Sequence, residues 1–473
     1  MLDLLDLNER ENFLMRRLWL MPLFIMLTLG VYCWGIGGFG FIDPYETLFS
    51  SLEPNINNFI NSIAFFILGK SELAGRIIQL VLGLACACTA ALTAKILFHS
   101  RKITQISFFI ILTSPLYFIV SRLNLPDIFF TASFTLCLFC YIYKIQNLDN
   151  IFKYRNLAAN LFFYSGMALA SLSGGFVKGT IAPLSIVISH ILIINWRWRN
   201  SSYKTINFSD LISPLGMALY AIIISPLFLN NYKLSSDIFF AHNINKFYLL
   251  AFCPWIIFIF IYAKKLFKLL FNFNNANALE PETQSLTQDD AALLCLWAAL
   301  AFIFNFPDLT ACIIPIAILI AVLVLENIFE SVNHRIFKKF VFYLLCLCAV
   351  LSLICIVKAF NNTALYKSHK DIAKIANEYL SYENNPDINL LYYGDIRGLE
   401  FYLNHKITNI NDADIGDWDV KANNNNNLRK LWNGAKRILL IIKRSSLDEF
   451  INIIGREPVK VGESAGDILL TNY

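Results

Sequence analysis

The sequence predicts a polytopic all-α membrane protein of about 11 transmembrane helices, followed by a small α/β C-terminal domain outside the membrane. Three observations predict this fold class. Hydrophobic residues make up 57% of the 473 positions, and they occur in long blocks rather than at amphipathic spacing. Lysine and arginine gather in alternate loops between these blocks. After Lys358 the composition changes abruptly to a polar, Asn-rich segment.

The apolar blocks are roughly 16 to 25 residues long, which is close to the length that crosses the hydrocarbon core of a bilayer. They lie at 18–36, 74–98, 104–121, 126–143, 157–174, 179–196, 209–229, 247–266, 291–306, 310–326 and 340–357. Several contain Pro or Gly, so the predicted number of spans has a margin of about one or two. No small-residue cleavage site follows the first block, which is therefore interpreted as a retained span rather than a signal peptide.

Orientation follows from the distribution of Lys and Arg. The positive-inside rule places the loops that are rich in these residues in the cytoplasm. These loops contain Arg10, Arg16 and Arg17; Lys95, Arg101 and Lys102; Lys144, Lys153 and Arg155; Arg197, Arg199 and Lys204; Lys264, Lys265 and Lys268; and Arg335, Lys338 and Lys339. The N-terminus is therefore predicted to be cytoplasmic and the C-terminal domain to lie outside. Because most of the basic residues lie in short loops, nucleic acid is not an expected partner.

The predicted domains are a transmembrane domain of residues 1–357 and a soluble α/β domain of residues 358–473. Strands are predicted at Asn389–Tyr393, Arg437–Ile442 and Asp467–Thr471, with helices near 368–382, 396–404 and 446–454. The run Asn423–Asn427 is interpreted as a surface loop, because low-complexity Asn cannot bury enough apolar area to become ordered.

The first outer loop, residues 37–71, is expected to contain juxtamembrane helices, and it carries two candidate acids. Asp43 and Glu46 are three residues apart in the segment Phe41–Thr47. If the chain turns into a helix after Pro44, the two carboxylates lie on neighbouring faces. The alternative interpretation is helix capping, with Asp43 as the N-cap and Glu46 completing a capping box.

Further candidates lie on the predicted outer side. Asp127 begins the fourth span close to Arg122. It is either an N-terminal helix acid favoured by the macrodipole or a functional group, since ionisable groups at the edge of lipid are costly. Lys178, flanked by glycines, is interpreted as an anion-binding cation, with snorkelling to the interface as the alternative. His242 and Lys246 occupy a later outer loop, for which a merely solvated loop is the alternative to a metal or phosphate site.

Other kinds of site are not expected. The sequence contains no Gly-rich nucleotide-binding loop and no evident Ser-His-Asp arrangement. All 11 cysteines fall within or beside apolar stretches and are interpreted as packing residues. The close pairs Cys86/Cys88 and Cys137/Cys140 are joined by no His or further Cys that would complete a metal site.

Several segments, taken in order, resemble one family. A long first outer loop that opens with acids precedes Asn61–Arg76, Ser121–Asp127, Phe176–Gly179, Phe240–Phe247 with Pro254–Trp255, Pro315, and Gly398–Leu403. In these segments the chain resembles the protein mannosyltransferase and aminoarabinose (lipid A) transferase superfamily of polyprenyl-phosphate-dependent glycosyltransferases, which has the GT-C fold. The similarity is diffuse but extends over nearly the whole chain.

The resemblance implies an inverting hexosyl- or pentosyltransferase of the bacterial inner membrane, with a periplasmic C-terminal domain. Such an enzyme moves a sugar from a polyprenyl-phosphate donor to a lipid A, polysaccharide or protein acceptor. An outer-loop acid acts as base or charge stabiliser, and cations or a divalent metal ion hold the phosphate; no other cofactor is expected. The implied catalytic residues are Glu46, Asp127 and Asp43, the donor-phosphate ligands are Lys178, Lys246 and Arg122, and His242 is the metal-ligand candidate.

The chain also departs from the family pattern. Tyr45 stands where the first-loop motif usually has an acid, Pro54–Asn58 replaces a Lys-Pro-Pro motif, and Asn305–Thr310 lacks an expected Lys. Arg76 does match the pattern. These departures motivate a second hypothesis, a catalytically degenerate relative that binds polyprenyl lipid or a partner transferase. A third hypothesis is a transporter of lipid-linked sugars, although paired half-helices and an inverted repeat are not visible.

Overall fold

The computed structural model describes most of the chain. The described residues are 20–42, 46, 56–146, 153–197, 212–229, 254–255, 257–258, 288–305, 310–325, 328, 335–383, 388–393, 398–403, 407–409, 425–434 and 436–473. They group into two compact units. The first comprises Met1–Trp34, Pro54–Ile60 and Arg76–Cys355, and the second comprises Gly35–Glu53, Asn61–Gly75 and Ile356–Tyr473.

Apolar helices dominate the first part of the chain. They are α1 (Leu20–Cys33), α2 (Ile56–Leu68), α3 (Glu72–Phe98), α4 (Arg101–Thr113), α5 (Pro115–Arg122), α6 (Asp127–Gln146), α7 (Lys153–Gly174), α8 (Ala182–Arg197), α9 (Pro214–Leu229), α10 (Gln288–Asn305), α11 (Thr310–Val324) and α12 (Arg335–Lys367). A π-helical turn, Val177–Ile181, precedes α8. Each predicted span except 104–121 and 247–266 overlaps one helix; 104–121 is divided between α4 and α5, and 247–266 lies mostly outside the described residues.

The number of membrane spans is smaller when it is counted on the described helices alone. By length and composition, five of them are suited to cross a membrane, or six if one bent pair is counted as a single span. Other apolar helices, such as α1 and α11, have only 14 and 15 described residues. The predicted total of about 11 spans stays a prediction.

Within the first unit, the helices pack side by side, and they do so both with sequence neighbours and with helices further along the chain. Helix α6 packs on α7, α7 on α9, α10 on both α8 and α11, and α4 on both α1 and α11. Small residues permit the closest of these contacts. A Cβ atom added to Gly166 on α7 would lie 3.0 Å from backbone atoms of both Ser133 and Cys137 on α6.

Helices α4 and α5 are two halves of one predicted span, bent by 68°. The bend has a local cause. Pro115 has no N–H to donate, and it biases the preceding residue towards extended backbone. Ser114 accordingly has ψ of 119° and ends α4, and its Oγ donates a hydrogen bond to the carbonyl of Ile110 at 2.8 Å.

The second unit contains a five-stranded sheet with helices on both faces. Its elements are α13 (Lys370–Glu383), β1 (Asn389–Tyr393), α14 (Leu399–Tyr402), β2 (Thr408–Asn409), α15 (Asn425–Trp432), β3 (Ile438–Lys443), a 3-10 turn (Arg444–Ser446), α16 (Leu447–Ile454), β4 (Val459–Glu463) and β5 (Asp467–Thr471). The strand order is β2-β1-β3-β5-β4. Strand β1 is parallel to β2 and β3, whereas β5 is antiparallel to β3 and β4.

Alternation along the central strand β3 divides the core between the two faces of the sheet. Ile438, Leu440 and Ile442 pack with α15 and α16 on one face. Leu439 and Ile441 pack with α13 and α14 on the other face. Because both faces are covered, β3 is apolar at five successive positions rather than at alternate ones.

The three predicted strands are confirmed to within one residue, but other elements of this region differ from the prediction. The short strands β2 and β4 and the helix α15 were not predicted. The interpretation of Asn423–Asn427 as a loop is wrong for its last three residues, which begin α15. The apolar residues that follow them, Leu428, Leu431 and Trp432, are buried in the core and stabilise that helix through tertiary contacts. The domain boundary at residues 357 and 358, and the outer location of this region, stay predictions.

Candidate functional site

A buried polar cluster lies where α3 faces the connection between α5 and α6. We define it as Arg76 and Gln79 on α3, Asn124 on the connection and Asp127 at the start of α6. All four residues are buried, and Gln79 Nε2 donates to Asn124 Oδ1 at 3.2 Å. Because polar groups are costly to bury among apolar helices, such a cluster favours a functional role for the groups it contains.

Asp127 occupies the first turn of α6, with only 6% of its surface exposed. The turn is attached to α11, because Thr131 Oγ1 donates to the Asp127 carbonyl at 2.9 Å and lies 2.5 Å from Thr310 Oγ1. The helix macrodipole stabilises a carboxylate at this position. The carboxylate is thus carried on a rigid element, as a base or a charge-stabilising group requires.

Close approach of α3 and α5 supports the cluster from one side. Tyr117 donates its hydroxyl to the Gly83 carbonyl at 2.6 Å. A Cβ atom on Gly83 would lie 2.4 Å from Ser121 Cβ, so the absence of a side chain there permits the contact. Gly83 lies one turn after Gln79 on α3. The contact at Gly83 therefore holds α3 close enough to α5 for Gln79 to bond to Asn124 on the connection that follows α5.

Arg122 is fully buried at the end of α5. Its Nη1 donates to the Val31 carbonyl at 3.2 Å, and its Nη2 donates to the Trp34 carbonyl. The guanidinium thereby binds carbonyl groups at the C-terminus of α1, a site that favours a cation. It also lies 5.5 Å from the centre of the Phe118 ring. These contacts favour a structural role for Arg122, and phosphate binding by it stays a prediction.

Lys178 is half-buried on the π-helical turn between α7 and α8. The turn begins after Gly175, whose φ of 90° is a left-handed conformation that glycine adopts without strain. The turn also packs closely on α7, because a Cβ atom on Gly179 would lie 2.1 Å from the backbone nitrogen of Ser171. π-Helical turns frequently occur at functional sites, and this one carries the predicted anion-binding cation.

Three hydroxyl groups attach this turn to the neighbouring helices α7 and α9. Thr180 Oγ1 lies 2.5 Å from Ser171 Oγ on α7 and 2.6 Å from Tyr220 Oη on α9. Each of these distances is that of a good O–H···O hydrogen bond. The backbone that carries Lys178 is therefore attached to two neighbouring helices by polar contacts.

Glu46 belongs to the second unit, where its surface is fully buried. Its Oε2 accepts a hydrogen bond from the Ile42 backbone N–H at 3.0 Å, while its own N–H donates to the Ile42 carbonyl at 2.9 Å. This reciprocal pair resembles the predicted capping arrangement, but it ends on Ile42 rather than on Asp43. The carboxylate is thus held in a defined position by the backbone of the first outer loop.

The remaining predicted site residues lie outside the described part of the chain. These are Asp43, Lys246 and His242, and Tyr45 lies outside it as well. Among the described residues, no group of three His, Cys, Asp or Glu side chains is arranged to hold a metal ion. The described cysteines are free thiols.

Sequence reasoning missed two members of the polar cluster. Gln79 and Asn124 were not singled out, although each carried a detectable signal. Gln79 is an amide within an apolar block, one turn after Arg76, and Asn124 lies three residues before Asp127. Polar residues at these spacings near a charged residue predict a shared face, but only the packing of α3 shows which residue meets which.

Residues 53–230 match the family model for dolichyl-phosphate-mannose-protein mannosyltransferase. The matched region includes Arg76, Arg122, Asp127 and Lys178. No curated protein sequence matches the chain.

Two solved proteins share the fold over most of this chain. ArnT from Cupriavidus metallidurans, solved both in the apo state and bound to undecaprenyl phosphate, aligns with a TM-score of 0.63 and 14% identity over 95% of this chain and 97% of its own. The oligosaccharyltransferase of Archaeoglobus fulgidus aligns with a TM-score of 0.52 and 12% identity over 92% of this chain and 70% of its own. The chain therefore has the GT-C fold, and the resemblance predicted from the sequence is confirmed.

Proposed function

We propose that this protein is a membrane glycosyltransferase that moves a sugar from a polyprenyl-phosphate donor to a lipid A, polysaccharide or protein acceptor. The observation that carries the proposal is the buried polar cluster with Asp127, within the segment that matches the mannosyltransferase family model. The similarity to ArnT over nearly its whole length supports the same proposal, because that protein was solved with undecaprenyl phosphate.

The proposed reaction is a single displacement with inversion. The acceptor hydroxyl loses its proton to a carboxylate, and its oxygen attacks the anomeric carbon of the donor sugar. The bond between that carbon and the phosphate oxygen breaks, and polyprenyl phosphate leaves with the bonding electron pair. The reaction therefore needs a base near the acceptor and positive charge near the phosphate.

We assign Asp127 as the principal acid, because it is buried on a rigid helix beside other polar groups. Glu46 and Asp43 are the further candidates from the first outer loop. Lys178 supplies positive charge for the phosphate, together with Lys246, and Arg122 is a less suited candidate because its guanidinium binds backbone carbonyls. No step of the proposal requires a metal ion.

The proposed location is the bacterial inner membrane. The N-terminus is cytoplasmic and the soluble α/β domain of residues 358–473 is periplasmic, with residues 1–357 forming the transmembrane domain. The alternating Lys and Arg content of the loops supports this orientation. The donor and acceptor then meet at the outer face.

A transfer assay tests the proposal. Purified protein in nanodiscs is supplied with radiolabelled undecaprenyl-phosphate-linked hexoses and pentoses, together with lipid A, polysaccharide or protein acceptors. We expect product from at least one pair, and Asp127→Asn is expected to lower its rate at least about 100-fold. The matched control is Asp289→Asn, which changes another acid in the first turn of an apolar helix on the predicted cytoplasmic side. Equal rates for the two variants would refute the assignment of Asp127.

A second candidate function has its own support. Tyr45 replaces the usual first-loop acid, and the Glu46 carboxylate is already bound by a backbone N–H. Both observations favour a relative that binds polyprenyl phosphate without transferring sugar. Saturable binding of undecaprenyl phosphate, with no turnover on any donor and acceptor pair, would support this candidate against the first.

A further inference from the structure

We infer that Tyr402 positions the Glu46 carboxylate through the backbone of Phe41 and Ile42. The inference rests on the proposed function, in which Glu46 is a candidate acid of the first outer loop. It assigns a role in the reaction to a residue of the C-terminal segment. All the contacts that carry it lie within the second compact unit.

The first step concerns what determines the position of Glu46. Both its backbone N–H and its carboxylate bond to Ile42, at 2.9 and 3.0 Å. Two bonds to one residue leave the carboxylate little freedom to move independently of that peptide. Ile42 is itself only 3% exposed, so its N–H has no ready access to water as an alternative partner. The position of the carboxylate therefore follows the position of the Ile42 backbone.

The second step concerns the residue before it. The Phe41 N–H donates to the Tyr402 hydroxyl at 2.7 Å, across 361 positions of sequence. The Phe41 ring also meets the Phe401 ring edge-on, with centroids 4.9 Å apart. The planar peptides on either side of Phe41 are joined at its Cα, where φ and ψ are the only soft torsions between them, so a bond that fixes the Phe41 N–H limits the movement of the Ile42 N–H as well. The Tyr402 hydroxyl thus binds the Phe41 N–H, and the Glu46 carboxylate binds the N–H of the next residue, Ile42.

The third step concerns how firmly Tyr402 is held. Its carbonyl accepts a hydrogen bond from Asn377 Nδ2 on α13 at 3.0 Å. Its flanking residues Leu399 and Leu403 are buried in the core beside the sheet. The short helix α14 is therefore anchored on the sheet, and the Tyr402 hydroxyl is a fixed acceptor rather than a mobile one.

The aromatic neighbour of Tyr402 strengthens the same attachment. The Phe401 ring lies 5.5 Å from the Phe65 ring on α2, and the Lys70 ammonium lies 5.1 Å from its centre. Lys370 at the start of α13 forms an ion pair of 2.6 Å with Glu72. Several positions at and near the first loop are thus attached to the C-terminal segment, and the Tyr402 hydroxyl binds backbone next to Ile42, the residue that holds the Glu46 carboxylate.

The packing alone does not require the Tyr402 hydroxyl. Phenylalanine at position 402 would retain the ring, the helix and the apolar contacts, and it would remove the acceptor for the Phe41 N–H. Tyr402→Phe is therefore a small and specific change. Tyr379→Phe is its matched control, because the Tyr379 hydroxyl donates to the Tyr473 hydroxyl at 3.4 Å, at an exposed site away from Phe41 and Ile42 in sequence.

Hydrogen exchange tests the positioning without any enzymatic activity. In the full chain in nanodiscs, the peptide that contains Phe41 and Ile42 is expected to exchange at least about tenfold faster in Tyr402→Phe than in the wild type. Tyr379→Phe is expected to leave that rate unchanged. Unchanged exchange in Tyr402→Phe, or an equal increase in both variants, would overturn the inference.

A double-mutant cycle tests the link to the reaction. Tyr402→Phe is expected to lower kcat about tenfold with little change in KM for the donor. In a Glu46→Gln background the same change is expected to alter kcat by less than about twofold, because the two residues act through one path. Multiplicative losses would show a general structural role and refute the inference. Faster exchange with no transfer by the wild type would refute the proposed function and leave the positioning of the loop supported.

Discussion

The helical first unit and the sheet of the second unit bury different kinds of side chains. The sheet core is made of Leu and Ile on both faces, with Phe450 and Trp432 on one face and Ala373 and Ala376 on the other. The helices α3, α5 and α6 instead bury Arg76, Gln79, Asn124 and Asp127 among apolar residues. Apolar burial stabilises a fold, whereas polar burial is costly unless the groups are used. The contrast is in keeping with a stabilising role for the sheet core and supports the proposed role of the polar cluster in the reaction.

The sheet does contain a buried polar pair, and the pair sharpens the contrast. His369 Nδ1 lies 2.6 Å from Asp467 Oδ2, and both side chains are 2% exposed. This pair is satisfied within the unit and connects the start of α13 to the start of β5. It therefore resembles a structural contact between two elements more than a reactive site.

The largest effect on stability is expected from Trp432→Ala. Trp432 is fully buried on α15 and meets the Phe450 ring edge-on at 5.1 Å. Loss of the indole leaves a cavity, and we expect the free energy of unfolding to fall by about 3–5 kcal/mol. Thermal unfolding followed by circular dichroism measures this. The control is Tyr382→Ala, since Tyr382 is 88% exposed and its loss should change stability by less than about 0.5 kcal/mol. Equal effects would contradict the apolar-core description.

A smaller effect is expected where α3 meets α5. Gly83→Ala would place its Cβ 2.4 Å from Ser121 Cβ, and we expect this overpacking to destabilise the protein by about 1–3 kcal/mol. Gly30→Ala on α1 is the control, because its Cβ would meet nothing within 4 Å. That change should be neutral or stabilising, since alanine favours helix over glycine by about 0.5–1 kcal/mol. Melting temperatures of the two variants should therefore move in different directions, and a shared direction would argue against close packing at Gly83.

The double replacement Gln79→Leu with Asn124→Leu separates stability from function most directly. Removing both partners of a buried hydrogen bond is often nearly neutral, so we expect less than about 1 kcal/mol of change in stability. The transfer rate is expected to fall at least about tenfold, because the polar surroundings of Asp127 change.

The matched control is the polar pair of Cys86 on α3 and Thr135 on α6, 3.6 Å apart. Cys86→Ala with Thr135→Val should retain the transfer rate to within about twofold. If the Leu variant were strongly destabilised yet fully active, the polar cluster would be structural.

A modest effect is expected from Tyr220→Phe, which removes one of the hydroxyl groups that attach the π-helical turn to its neighbouring helices. Loss of the bond to Thr180 should destabilise the protein by about 0.5–1.5 kcal/mol. Binding of undecaprenyl phosphate should weaken in the same variant, because the turn carries Lys178.

Lys178→Gln should weaken the binding of undecaprenyl phosphate further. Lys338→Gln, at a half-buried lysine of the predicted cytoplasmic side, should not weaken it. Unaltered binding in both Tyr220→Phe and Lys178→Gln would contradict the phosphate role of the turn.

The sequence by itself determined the helical class, the positions of nearly all described helices and three strands of the sheet. These features depend on local signals: block length for helices in lipid, and period-2 or continuous apolar runs for strands. The family resemblance was also carried by the sequence, in the order of its loop segments. Asp127 and Lys178 could be singled out because charge at the end of an apolar block is conspicuous.

Tertiary structure decided what the local pattern does not encode. Helix α15 forms on an Asn-rich start because the sheet buries Trp432, and β4 forms because β5 offers it an edge for pairing. Likewise, only packing shows that Gln79 meets Asn124 and that the Tyr402 hydroxyl accepts the Phe41 N–H. The physical reason is that these contacts join residues 45 and 361 positions apart. The free energy of each contact depends on two surfaces that meet only in the folded protein, and no local stretch of sequence contains both surfaces.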